Sequence, residues 1–294
     1  MLSLHTNSAA LSAQNSIGRT QSSLSTSQTR LSTGYRVNSA MDDAAGLQIA
    51  TRLKAQTSGM AMAMRNTQNG ISMLQTAEGA LDETTNILMR MKDLATQGAD
   101  ATTTTKDGKA LQAEFDALTS ELSNIVNNTS FGGEKLMIGT TGTLTKKIDF
   151  QIGASTSEKM SVDLATGTEM SAMHTALLAG AGGYLDTGLA VTAVGTDVDT
   201  AANANATIDE LQSAIEAVGV VRSALGAAAN RLDHVYNNLS NVSTNTKAAT
   251  GRIMDTDFAA ESSNMTSSQM LLQAGTAMLK QSNSTSSLVM SLLQ

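Results

Sequence analysis

Proline, cysteine and tryptophan are all missing from the 294-residue chain. Without proline, no residue removes an amide donor or clashes with the preceding turn, so long helices meet no built-in break. Without cysteine there are no disulfides and no thiolate metal sites, and the redox compartment stays open. Aromatic rings come only from Tyr35, Tyr184, Tyr236 and four Phe. A chain this poor in rings and cross-links needs another source of stability, and repeated contacts between subunits are one. Charge is scarce as well, at 15% of residues with a net of -7. That balance argues against nucleic acid, whose partners cluster Lys and Arg. The opening MLSLHTNSAALSAQNSIGR has no basic segment followed by an apolar run and a small-residue cleavage site, so no cleaved signal peptide is expected. No stretch of about 18 apolar residues occurs, so no membrane insertion is expected either.

Apolar residues still make up 41% of the chain, carried by Ala, Leu and 17 Met. These side chains lose little freedom in a helix and allow close packing between helices. Leu4, Leu11, Ile17, Leu24 and Leu31 recur about every seven residues among Ser, Thr, Asn and Gln, a thin apolar seam on a polar helix. Gly34 offers a stop, and Ser39 three before Asp42 reads as a capping box for the next helix. From Asp43 to about Gln97 one row runs Leu74, Leu81, Leu88 and another Ala80, Ile87, Leu94. Residues 98–109 read as loop, and a third helix carries Leu111, Phe115, Leu118, Leu122 and Ile125 at heptad spacing.

After Asn128 the composition changes, and the alternation in KIDFQIG and KMSVDLAT predicts strands or a hairpin within 139–166. Residues 179–206 are low in complexity and read as exposed loop. Helical spacing then returns in Ile208, Leu211, Ile215, Val218, Leu225, Ala229, Leu232, Tyr236 and Leu239, broken only by Arg222, with a phase shift near Val242. A last helix carries Leu271, Met278 and Leu292 on one row, with Leu272, Leu279 and Leu293 beside it. None of these helices buries its seam alone, so the economical fold brings the two chain ends together. The expected class is mainly α: an elongated helical bundle or coiled coil of the N- and C-terminal segments, with a small β-hairpin region in the middle.

Chemistry is hard to find. His5, His174 and His234 form no HExxH or metal-ligand spacing, and no GxSxG or SxxK sits in a supporting context, so no catalytic, cofactor or metal residues are assigned. Asp42 and Asp43 fit a helix start, where a negative charge complements the dipole, better than a catalytic pair. Asp255, Asp257 and Glu261, and separately Asp197 and Asp199, lack the Gly and Glu spacing of a calcium loop and read as caps or solvated loop. The Met cluster GMAMAMR, residues 59–65, reads as bundle packing rather than an adaptable partner surface.

Four stretches carry a family resemblance. LSTGYRVNSAMDDAAGLQIA (31–50), RNTQNGISMLQTAEGALDETTNILMRMKDLATQ (65–97), VRSALGAAANRLDHVYNNL (221–239) and GRIMDTDFAAESSNMTSSQMLLQAGTAML (251–279) resemble, in order, the signatures of bacterial flagellin. The opening MLSLHTN and GLQIATRLKAQ are similar to the lateral type.

The resemblance implies a secreted, extracellular filament for motility, built as an inner tube of coiled chain ends inside an outer tube of central helices. Residues 1–42 and 255–294 would form the inner layer, and 43–178 and 204–254 the outer one. Residues 179–203 would be a short variable surface segment, too small for an outer domain, giving a thin, smooth filament. Leu4, Leu11, Ile17, Leu24, Leu31, Leu271, Met278 and Leu292 would line the inner-tube seam. The implied partners are the chain itself as a helical homopolymer, a type III export chaperone, hook-associated and cap proteins, and a host Toll-like receptor. Arg90, Leu94 and Glu114 fall on the receptor-matching positions, with Lys92, Asp93 and Thr96 replacing the more usual Arg, Glu and Val. The chain end LKQSNSTSSLVMSLLQ departs from the Pro-containing segment of relatives. Two other readings stand beside this one: a hook-filament junction protein, and a secreted coiled-coil adhesive or membrane-active protein.

Overall fold

The computed structural model describes residues 7–139, 141–164, 169–184 and 195–292, with side chains as far as residue 284. Among these residues lie six helices: α1 Ser8–Thr33, α2 Ala44–Gly98, α3 Thr105–Asn128, α4 Glu169–Gly180, α5 Ala201–Met254 and α6 Phe258–Leu292. The strands are β1 Ser130–Phe131, β2 Glu134–Lys135, β3 Ile148–Gln151 and β4 Lys159–Val162, paired as two antiparallel hairpins. The expected mainly helical fold with a small β region is the one the chain adopts.

Residues 58–243 form one compact unit, and residues 1–57 with 244–294 form the other. In the first, α2 turns an unbroken heptad face inward: Met60, Ala63, Thr67, Gly70, Leu74, Ala77, Leu81, Thr84, Leu88, Met91, Ala95 and Gly98 are all buried. Alternate steps of three and four keep one stripe of a helix on one side. α5 answers with Ala204, Thr207, Leu211, Ala214, Val218, Val221, Leu225, Ala228 and Leu232. The two run antiparallel, since Lys92 donates to Gln212, Arg222 pairs with Glu78 and Asp82, and Gly70 lies against Leu232. Threonine is tolerated on this seam because its hydroxyl bonds back to its own helix: Thr67 to the Ala63 carbonyl at 2.8 Å and Thr84 to Ala80 at 2.9 Å.

The β region caps this seam. β1 and β2 join through Gly132 and Gly133, both at positive φ, which suits a two-residue hairpin turn. In β4, Met160 and Val162 face the core while Lys159 and Ser161 face out, the alternation legible in KMSVDLAT. β3 brings Phe150 onto Gly70 of α2, where a glycine leaves room for the ring.

Three local expectations are corrected. α2 starts at Ala44 with Asp43, not Ser39, as its cap: the Gly46 amide donates to Asp43 Oδ1 at 2.8 Å. The Ser39–Asp42 spacing instead closes a turn, in which Asp42 Oδ2 accepts the amides of Asn38 and Ser39 at 3.1 and 2.9 Å. Within 98–109, helix α3 already begins at Thr105, because Thr104 and Asp107 form a reciprocal capping box. Of the stretch read as exposed loop, residues 185–194 lie outside the described residues, but Ala181, Tyr184, Val198 and Ala204 are buried and α5 starts at Ala201. Gln112 explains much of that order: buried on α3, it accepts the Val198 amide at 2.7 Å and donates to Asp116 at 2.8 Å.

Candidate functional site: a two-faced helix pair at the chain ends

The unit built from the chain ends pairs α1 with α6. Asn7, the N-cap of α1, donates from Nδ2 to Ser282 Oγ at 3.1 Å, a β-carbon on Gly275 would touch Ile17, and Arg30 meets Glu261 at 3.8 Å, so the helices run antiparallel. Gly34, at φ 75°, ends α1 in the left-handed conformation that glycine adopts without strain. The chain then forms an antiparallel bridge between Tyr35 and Asp255, where the Arg36 amide donates to the Met254 carbonyl at 2.6 Å and the Thr256 amide to Gly34 at 3.0 Å. Asp257 caps α6 by accepting the amides of Ala259 and Ala260.

On α1 the half-buried and buried positions are Ala10, Ala13, Ile17, Thr20, Leu24, Ser27, Arg30 and Leu31; on α6 they are Glu261, Met265, Ser268, Leu272, Gly275, Leu279 and Ser282. Both rows alternate steps of three and four, but about half of each is small or polar. The seam is therefore narrow, and beside it the helices leave a hydroxyl-rich groove of about 420 Å³ lined by Ser22, Ser23, Thr26, Ser27, Arg30 and Glu261. Glu261 is buried against Arg30, whose Nε has no hydrogen-bond partner.

The sequence-predicted seam residues divide. Ile17, Leu24 and Leu31 lie on the α1 face turned to α6. Leu11 is one residue off that row, since Ala10 and not Leu11 is seven before Ile17, and it is 63% exposed. On α6 it is Leu272 and Leu279 that face α1, whereas Leu271 and Met278 are 62% and 69% exposed. Leu4 and the side chain of Leu292 lie outside the described residues.

That outward row belongs to a second apolar stripe. At about 100° per residue, Met270, Leu271, Ala274, Ala277 and Met278 cluster on a face roughly 140° round α6 from the seam. All five are exposed. The third face carries Thr266, Gln269, Gln273, Thr276 and Lys280. A helix in a finished monomer has one apolar stripe, and a second one exposed to water marks a surface for a partner.

On the other unit, Arg90 and Glu114 come together: Arg90 Nη2 and Nε donate to Glu114 Oε1 at 2.6 and 3.1 Å, both side chains about half exposed. Leu94 does not join them on the surface. It is 2% exposed and lies in the core. Sequence reasoning missed much of the small-residue half of the seams and the buried Gln112; the available signal for the former was that Ala204, Thr207, Ala214, Val221 and Ala228 fill the three- and four-residue steps around Leu211, Val218 and Leu225.

The paired end helices and their free apolar stripe define a helical subunit that completes itself in an assembly. The bacterial flagellin N-terminal helical region matches residues 4–141, and the C-terminal helical region matches residues 208–293. A flagellin from Halalkalibacterium halodurans is 41% identical over 265 residues, 90% of each chain. Flagellin B of Vibrio cholerae is 32% identical across 99% of each chain. Among solved structures, Bacillus cereus flagellin matches 63% of this chain and 94% of its own, with a TM-score of 0.46 and 31% identity. The chain belongs to the bacterial flagellin family, whose members are structural proteins. It is a subunit that polymerises into the flagellar filament for motility.

Proposed function

We propose that the outward stripe of α6 is the face on which successive copies of this chain dock, and that docking completes the order of the end helices. In this reading residues 1–42 and 255–294 form the inner layer of the filament, 43–178 and 204–254 the outer layer, and 179–203 a short surface segment. The observation that carries it is the second stripe, with Met270, Leu271 and Met278 each at least 60% exposed beside a seam that is half polar. A seam of that quality gives a lone α1–α6 pair little stability, and neighbours that cover the stripe stabilise the ordered form by mass action. Replacing Leu271 by Asp, or removing residues 1–30 or 265–294, abolishes polymerisation while circular dichroism still reports helix from residues 58–243. Normal filaments from any of these variants would overturn the docking face. A reconstruction with a folded outer domain at 179–203 would overturn the thin, smooth filament.

The same stripe supports the partners that the resemblance implies. An exposed apolar helix face needs cover before assembly, which fits an export chaperone on the C-terminal helix, transit through the flagellar type III apparatus and secretion. At the filament's two ends, hook-associated and cap proteins would meet the same faces. Toll-like receptor recognition would rest on the exposed Arg90–Glu114 pair rather than on Leu94. Lys92 cannot reproduce the planar fork of an arginine, so the response should be weak. A reporter-cell assay with the monomer and its Arg90→Ala variant tests this, and silence from the unmodified monomer ends it.

A further inference from the structure

With no Cys or Trp in the chain, methionine is its main target for two-electron oxidants, and among the described residues the methionines range from buried to largely exposed. Met91, Met137, Met170 and Met173 are at most 1% exposed and Met60 and Met160 at most 4%. Met270 and Met278 are 60% and 69% exposed, and they form the two ends of the apolar stripe that flanks Leu271. Their thioethers are open in the free subunit and are the groups that a second copy would cover.

We infer that Met270 and Met278 are oxidation sites through which peroxide blocks incorporation of the subunit, an inference that rests on the docking reading above. In the reaction a sulfur lone pair attacks one oxygen of hydrogen peroxide, the S–O bond forms as the O–O bond breaks, and water leaves. The sulfur is oxidised by two electrons and the peroxide reduced by two. The product replaces an apolar, adaptable side chain by a strongly polar sulfoxide. Before oxidation, docking removes apolar surface from water. Afterwards it must also bury an S=O acceptor, and the neighbouring stripe residues Leu271, Ala274 and Ala277 offer it no side-chain donor. The modification is reversible by methionine sulfoxide reductases, so the block is a switch rather than a lesion. Once a neighbour covers the stripe, the same thioethers are shielded, so assembled filaments resist the oxidant that stops free subunits.

The test uses full-length monomer treated with hydrogen peroxide, peptide mapping by mass spectrometry, and seeded polymerisation followed by sedimentation. Sulfoxide at Met270 and Met278, with Met91 and Met137 unmodified, should accompany a rise of about tenfold or more in the concentration needed for polymerisation. The reductase pair acting on both sulfoxide epimers should restore it. A Met270→Leu/Met278→Leu double variant keeps Met41, Met62 and Met89, which are also exposed, and should polymerise equally well before and after peroxide. If that variant loses assembly on oxidation as the unmodified chain does, the two sites are not responsible and the inference is wrong. The inference also fails if doubly oxidised monomer polymerises normally. Leu271→Asp separates the two ideas: polymerisation by that variant sinks the docking face itself, whereas its loss together with unaffected sulfoxide subunits sinks only the oxidation switch.

Discussion

Two glycines of the same helix should respond in opposite directions to the same substitution. Gly79 of α2 has no atom within 4 Å of the point where a β-carbon would stand. Gly79→Ala therefore gains only the helix propensity of alanine, about 1 kcal/mol. Nine residues earlier, a β-carbon on Gly70 would lie 2.8 Å from Cε1 and 2.9 Å from Cδ1 of Phe150, and 3.3 Å from Leu232 Cδ1. Comfortable carbon contacts need about 3.5–4.0 Å, so the ring has to retreat by at least roughly 0.7 Å. Overpacking of this kind costs about 1–3 kcal/mol. Set against the propensity gain of about 1 kcal/mol, Gly70→Ala should lose about 1 kcal/mol, placing the two variants about 2 kcal/mol apart. For a unit of this size that is a separation of about 4–8 °C in melting temperature. Thermal unfolding of full-length monomer, followed at 222 nm, reads it directly. A Gly70→Ala variant as stable as Gly79→Ala would refute the close docking of Phe150 on α2.

Other consequences follow from single contacts. Gln112→Ala should cost about 1–3 kcal/mol and make residues 195–200 sensitive to limited proteolysis, because the buried Val198 amide loses its acceptor. Unchanged cleavage would contradict that role. Arg222→Ala should cost about 0.5–1 kcal/mol, fading with added salt, since its pairs with Asp82 at 2.8 Å and Glu78 at 3.4 Å are partly exposed and its loss leaves two like charges one turn apart. The Ser39 amide, then the Asn38 amide and the Ser39 hydroxyl, hold the Asp42 carboxyl below its ordinary value. A depressed carboxyl favours the folded turn above its unfolded pKa and loses that contribution as pH falls through the lower folded value. Carbon-detected NMR should therefore show Asp42 titrating below ordinary aspartates, and an ordinary midpoint would contradict the turn. Gly34→Ala should destabilise by about 1–2 kcal/mol, because φ 75° is strained for any residue with a β-carbon.

Large apolar residues made the helices legible, and small ones hid the details of packing. Leu74, Leu81 and Leu88 mark the α2 seam in the bare sequence, yet Thr67, Thr84, Gly70 and Gly98 complete it for reasons that depend on the partner. A buried threonine needs an acceptor for its hydroxyl, on its own helix at Thr67 and Thr84 but on the Asp197 carbonyl at Thr207, and Gly70 and Gly98 are buried because a ring and a backbone segment close on them. The same limit explains Leu11 and Leu271: both are large and apolar at near-heptad spacing, but a one-residue offset turns a side chain by about 100°, from the intramolecular seam to open solvent. Arg222 looked like a break in α5, and the slot beside it is filled by Val221, leaving the arginine to pair with α2. The cap of α2 was open to misassignment because two capping spacings overlap there, Ser39–Asp42 and Asp43–Gly46, and only geometry decides which acidic side chain receives the first free amides of the helix. Buried Gln112 carried no pattern in the sequence, because beside the nearby Asp116 its partners are Asp197 and Val198, some 85 positions away.

The central claim is that a second copy of the chain covers the outward stripe of α6. Electron cryomicroscopy of filaments grown from the purified protein measures it directly. The account predicts Met270, Leu271 and Met278 buried against neighbouring subunits, with α1 and α6 still paired through Ile17, Leu24, Leu272 and Gly275; filaments in which those three side chains face solvent would contradict it.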